Sequence, residues 1–178
     1  LRMDKVEHVD KVEPLEGVTI ANYNSPSQIV ITGQTASVKE ASELLKEGGA
    51  KRVIPLNVSG PFHSPMLTPA GEKLAIELDK VSLRELRIPY VTNVSAEKIV
   101  NIHQTKELLK TQISSPVLWM QSIESMIQDG IDTFVEIGPG RTLAGFLKKI
   151  NRNVTVYNIS TWEEMETVAE KIGRESIC

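Results

Sequence analysis

Cysteine is almost absent: the only one, Cys178, is the last of 178 residues. That excludes a disulfide framework and a cysteine-based zinc site, and it fits a reducing cytoplasm. No apolar run approaches the roughly 20 residues needed to span a bilayer. Near the start, Asp4, Lys5, Glu7 and Asp10 interrupt any stretch of the signal-peptide kind. No Lys/Arg block dominates, and 20 basic against 23 acidic residues leave a net charge of -3. A nucleic-acid footprint is therefore not expected. No pair of histidines or carboxylates falls at metal-ligand spacing, and neither an internal repeat nor a low-complexity tract is present. Most telling, no Ser or Cys stands in a Gly-x-Ser-x-Gly nucleophile elbow.

What is present is enough sequence for a real hydrophobic core. The opening Leu1-Arg2-Met3-Asp4 has no initiator Met at position 1 and reads as a fragment boundary. Helical spacing predicts a short helix over 3–13, ended by Pro14 and Gly17. Val18–Ala21 and Gln28–Thr32 read as strands joined by the turn-rich linker 22–27. Ser37-x-x-Glu40 has capping-box spacing for a helix that Gly48-Gly49 stops, and a strand at 52–56 follows. Helix, strand, strand, helix, strand is a ferredoxin-like unit lacking its first strand.

Beyond residue 58 helices and strands alternate, which implies a mostly parallel sheet covered by helices. Helices are expected around Leu67–Leu78, 108–113, 117–127 and 143–150, with strands at 88–94, 133–137 and 154–157. Thr161-x-x-Glu164 caps a last helix that runs to about Gly173.

Three histidines compete for chemistry. His8 lies in a charged terminal segment and His103 in a polar loop, and both read as solvated. His63 follows Ser59-Gly60-Pro61-Phe62 and precedes Ser64-Pro65, so it sits in a tight strand-to-helix turn beside an apolar wall. An imidazole there can take a hydroxyl proton near neutral pH and return it. The plainer alternative, that His63 only caps the following helix, stays open on residue logic. Gly138-Pro139-Gly140 invites a phosphate-loop reading, but Leu143 breaks the glycine pattern and Pro139 removes an amide, so a tight turn is favoured. Gln112 ends a helix whose free carbonyls could accept from a ring N–H, although on residue logic an ordinary exposed glutamine is the favoured reading.

Four spaced stretches together carry a family resemblance. They are Ala21-Asn22-Tyr23-Asn24-Ser25-Pro26-Ser27-Gln28-Ile29-Val30-Ile31-Thr32-Gly33, Ser59-Gly60-Pro61-Phe62-His63-Ser64-Pro65-Met66, Gln112-Ile113-Ser114-Ser115-Pro116-Val117-Leu118-Trp119 and Val135-Glu136-Ile137-Gly138-Pro139-Gly140. In this order they resemble the malonyl-CoA:acyl carrier protein transacylase family of fatty acid and polyketide synthesis.

The resemblance implies an α/β fold: the C-terminal part of an α/β-hydrolase-like core with a parallel sheet, over 58–178, plus an incomplete ferredoxin-like subdomain over 1–57. It implies that His63 is the base paired with a serine nucleophile, that Gln112 orients it through its main-chain carbonyl, and that Phe62 marks malonyl rather than methylmalonyl selection. Leu118 departs from the arginine often found there. The family's Gly-His-Ser-Leu-Gly elbow, its carboxylate-gripping arginine and its N-terminal glutamine have no counterpart in this sequence. Malonyl-CoA and acyl carrier protein are the implied partners, with no metal or redox cofactor, no nucleic acid and no membrane. The alternative expectation is a non-catalytic module that binds a carrier protein or pantetheine.

Overall fold

A computed structural model describes residues 2–3 and 15–175. The first sheet holds β1 (Arg2–Met3), β2 (Val18–Ser25), β3 (Gln28–Gly33) and β4 (Val53–Ile54), in the order β2-β3-β1-β4. The first strand expected to be missing is therefore present. Its two residues pair antiparallel with both neighbours, Met3 opposite Ile29 on one side and Val53 on the other. A two-residue strand is too short for alternation to reveal. Met3 is thus strand rather than helix, and the rest of the helix expected over 3–13, His8 included, lies outside the described residues, as does Cys178.

Apolar residues at alternate positions of β3 place Ile29 and Ile31 on one face, both essentially fully buried. Ile20 of β2 joins them, and α1 (Thr35–Glu47) lays Ala41 and Leu45 onto the same cluster at i, i+4 spacing. Burying Ile29, Ile31 and Leu45 contributes about 1.5–3 kcal/mol each. The hairpin is tighter than the expected linker: β2 runs on to Ser25, leaving only Pro26-Ser27 as the connection. The helix begins earlier than the Ser37 box suggests, with Gln34 as its N-cap. Gly33 fixes that entry, because a Cβ on it would lie 2.0 Å from the Gly17 carbonyl oxygen.

After β4 the chain passes through the His63 turn into one turn of 3-10 helix, Pro65–Leu67, and α2 (Thr68–Asp79). The strand expected at 88–94 is only β5 (Tyr90–Val91), paired antiparallel with β6 (Lys98–Ile99). Its early end reflects a turn in which the Ala96 N–H donates to the Thr92 carbonyl at 3.0 Å. Alternation in this stretch therefore makes a short ribbon, and the parallel ladder is confined to β7 (Thr133–Ile137) and β8 (Thr155–Ile159). α5 (Thr142–Ile150) connects these two strands. Among the described residues β7 pairs with β8 alone, and Ile137 is 78% exposed. The last helix, α6 (Trp162–Glu175), starts where its capping box predicts. Thr161 Oγ1 accepts from the Glu164 N–H at 3.2 Å, while the Glu164 carboxylate accepts from the Ser160 N–H at 2.6 Å.

Two contacts decide where the site falls. α3 (Thr105–Gln112) and α4 (Trp119–Gln128) flank the Ser114-Ser115-Pro116 break. Just after it, Val117 bridges to the outer edge of β2: its N–H donates to Ala21 O at 2.8 Å and its carbonyl accepts from the Tyr23 N–H at 2.9 Å. α3 in turn lies against α2 at Gly71, where an added Cβ would stand 3.0 Å from the Lys110 carbonyl oxygen. Lys110 Nζ meets Glu72 at 3.1 Å beside that contact and Glu107 at 3.5 Å. The hydrogen bond to Glu72, then the charges of Glu107 and Glu72, hold the Lys110 pKa above its ordinary 10.5.

Replacing Gly71 tests the helix pair. Gly71→Leu improves helix propensity yet drives a side chain into the α3 backbone, so it is expected to lower stability by about 1–3 kcal/mol in urea unfolding. Unchanged or raised stability would show that α2 and α3 do not approach so closely.

Candidate active site

The turn Pro61-Phe62-His63-Ser64 carries the imidazole. His63 has φ of +58°, one of two non-glycine residues in the left-handed region among those described. That conformation costs an L-residue about 1–2 kcal/mol. Strain of this kind persists only where the surroundings hold it, and it gathers at functional sites.

One such hold is direct. His63 Nδ1 lies 3.0 Å from the main-chain oxygen of Gln112, the last residue of α3. A carbonyl oxygen only accepts, so Nδ1 carries the proton and donates it. In neutral imidazole Nε2 is then the basic nitrogen. The exposed-glutamine reading of Gln112 thus gives way to the carbonyl reading: the residue touches His63 through its backbone. The N-cap position of the following 3-10 turn is held by Ser64, and the His63 ring reaches across 49 residues to another helix.

His63 lines a cleft of about 660 Å³ between its own turn and the β2–β3 sheet. Phe62, Met66 and Val58 form an apolar wall, each at least half exposed to the opening. Ala21 and Asn22 face them from β2, the strand edge that Val117 bridges. The His63 turn, the end of α3 and the first sheet thus meet at one place. Phe62 stands beside the base, where the sequence puts it. His103 is exposed at the 3-10 turn before α3, and its N–H donates to Asn101.

Gly138-Pro139-Gly140 forms a tight turn, as its sequence favours. The amides at the α5 N-terminus, which a phosphate would use, are taken by a carboxylate. Glu136 accepts from the Ala144 N–H at 2.9 Å, the Leu143 N–H at 3.0 Å and the Asn158 side-chain amide at 2.8 Å. Sequence reasoning missed this residue; an acidic side chain near a helix start was its only signal. Desolvation pushes the Glu136 pKa up, but the bonds from Ala144, Leu143 and Asn158 outweigh it and leave the group below its ordinary 4.5. A depressed folded-state pKa means stability that is present above the unfolded value and lost as pH falls through the folded one. Glu136→Gln is therefore expected to cost about 1 kcal/mol near neutral pH, as a lost cap does. Urea unfolding at about pH 7 and about pH 3 should show that cost shrinking in acid. An equal cost at both would assign Glu136 a role independent of its charge.

Comparison with known proteins identifies the family. The acyl transferase domain family matches residues 2–170. The malonyl CoA-acyl carrier protein transacylase of Bacillus subtilis is 45% identical over 159 residues, covering 89% of this chain and 50% of that protein. The crystal structure of malonyl CoA-acyl carrier protein transacylase from Clostridium perfringens superposes with a TM-score of 0.89 at 42% identity, over 99% of this chain and 57% of that one. A type II PKS acyl-carrier protein in complex with its malonyl-transacylase gives a TM-score of 0.90 at 31% identity, over 96% and 57%. The chain spans about half the length of the curated relatives it matches. The family match over residues 2–170 and relatives at up to 45% identity place this chain in the acyl transferase domain family.

Proposed function

We propose that this chain supplies the base's half of a malonyl-CoA:acyl carrier protein transacylase site, in fatty acid or polyketide synthesis in the cytoplasm. The observation that carries this is the bond from His63 Nδ1 to the Gln112 carbonyl, which leaves Nε2 as the basic nitrogen of a residue lining an open cleft. The relatives matched are about twice as long; in this reading the serine nucleophile, the carboxylate-binding arginine and the oxyanion donors lie in a segment outside this chain. Among the described residues one side of β7 is unpaired, and with Ile137 exposed this edge suits further strands from that segment.

In this reading His63 Nε2 takes the serine hydroxyl proton as the oxygen attacks the malonyl thioester carbonyl. The C–S bond breaks, and the proton passes to the departing CoA sulfur. The phosphopantetheine thiol of acyl carrier protein then attacks the serine ester, giving its proton to Nε2, and the serine oxygen recovers a proton as it leaves. No oxidation state changes, so the two half-reactions call for no redox cofactor. Gln112 keeps the ring in the required tautomer through its carbonyl, and Phe62 narrows the cleft beside the reacting carbon in favour of malonyl over methylmalonyl groups.

The test is transfer of labelled malonate from malonyl-CoA to acyl carrier protein. His63→Ala in the complete protein should lower it by roughly 100-fold or more, the scale of a lost general base. The 178-residue chain alone should show none. Near-normal turnover in His63→Ala, or transfer by the chain alone, would overturn the proposal.

A further inference from the structure

Ser64 stands out against its surroundings. It is 1% exposed, while Phe62 and Pro65 of the same turn lie open to solvent. Its backbone, with φ of -128° and ψ of 158°, occupies the N-cap position of the 3-10 turn Pro65–Leu67. A serine there ordinarily turns its hydroxyl forward onto the helix amides. Here the hydroxyl turns backward instead, and Oγ donates to the Pro61 carbonyl at 2.8 Å. The Ser64 carbonyl meanwhile accepts from the Leu67 N–H at 3.0 Å. One buried residue is thus tied to the turn behind it through its side chain and to the helix ahead through its backbone.

The two residues spanned by the Oγ–Pro61 bond are Phe62 and His63. Asparagine or glycine would fit a φ of +58° more easily than histidine. The Gln112 carbonyl restrains only the ring of His63, and relaxation of its backbone toward negative φ would carry the ring away from that carbonyl. The hydroxyl of Ser64 acts on the backbone of the same turn. On the reading of His63 as the base, we infer that Ser64 is a positioning residue: its hydroxyl locks the turn that holds His63 in the left-handed conformation and aims Nδ1 at Gln112 and Nε2 at the nucleophile.

The contacts form a closed circuit. From Ser64 the chain runs through the 3-10 turn into α2, α2 lies on α3 at Gly71 and Lys110, and α3 ends at the carbonyl that meets His63. Removing the hydroxyl leaves this circuit closed through the backbone but frees the Pro61–Ser64 closure that holds the base at one end of it. It leaves the cleft wall at Phe62, Met66 and Val58 chemically intact, so the effect falls on the rate of acylation rather than on substrate binding.

The experiment compares Ser64→Ala, Ser64→Cys and His63→Ala with wild type in the complete protein. It measures acylation by malonyl-CoA per titratable site, and the 15N spectrum of the imidazoles. Ser64→Ala should slow acylation roughly 10- to 100-fold, the scale of a small misplacement of a reacting group. The KM for malonyl-CoA should stay close to its wild-type value. Ser64→Cys, with a weak S–H donor of similar size, should recover part of the rate. The His63 15N signals should show a protonated Nδ1 in wild type and mixed tautomers in Ser64→Ala. Wild-type acylation per site and unmoved His63 signals in Ser64→Ala would overturn the inference and leave Ser64 a mere turn closure. If wild type itself forms no malonyl-enzyme, the transacylase reading fails, and the imidazole spectra alone decide the role of Ser64. Should the alanine variant not fold, the cysteine variant decides by the same signals.

Discussion

The hydrogen bond from His63 Nδ1 to the Gln112 carbonyl is the constraint to which the rest of the site answers. It sets which ring nitrogen is basic, and it joins a strained turn to the end of a helix far away in sequence. Neither partner can reach the other unless α2 and α3 lie close. Gly71 permits that approach, and the Lys110–Glu72 pair flanks it. That ion pair is exposed on the Glu72 side, so it contributes little to stability by itself. The buried glycine contact is the stronger determinant of the distance.

The first sheet matters to the site because it provides the facing wall. Its core of Ile20, Ile29, Ile31, Ala41 and Leu45 makes β2 and β3 a rigid platform, and the Val117 bridge ties the start of α4 to the edge of β2. The segment from Gln112 to Val117 is therefore anchored at both ends, by α3 on one side and by a strand edge on the other. On the proposed reading, a carbonyl held in this way positions His63 with little reorganisation during reaction. Glu136 serves the second, parallel pair of strands instead, where it closes the Gly138-Pro139-Gly140 turn against α5.

Much of this was legible in the sequence. The glycines and prolines around His63 marked its turn, the alternation in Gln28–Thr32 marked a buried strand, and the order of four motifs pointed to the family. Two features were not legible, each for a physical reason. The strand Arg2–Met3 is too short to show a period, and its existence depends on partners at β3 and β4. The main-chain role of Gln112 came from the family resemblance rather than from its residue type, because a backbone carbonyl has no side-chain signature. Ser64 looks in sequence like the residue that begins a helix, and only the folded turn brings its hydroxyl back onto Pro61.

The central claim is that His63 is the base of a serine nucleophile supplied by the segment outside this chain. The most direct measurement is a crystal structure of the complete protein bearing these residues. A serine oxygen is expected within roughly 2.6–3.2 Å of His63 Nε2, with the Nδ1 bond to Gln112 retained. A complete protein in which no serine oxygen comes within reach of Nε2, directly or through one water, would contradict it.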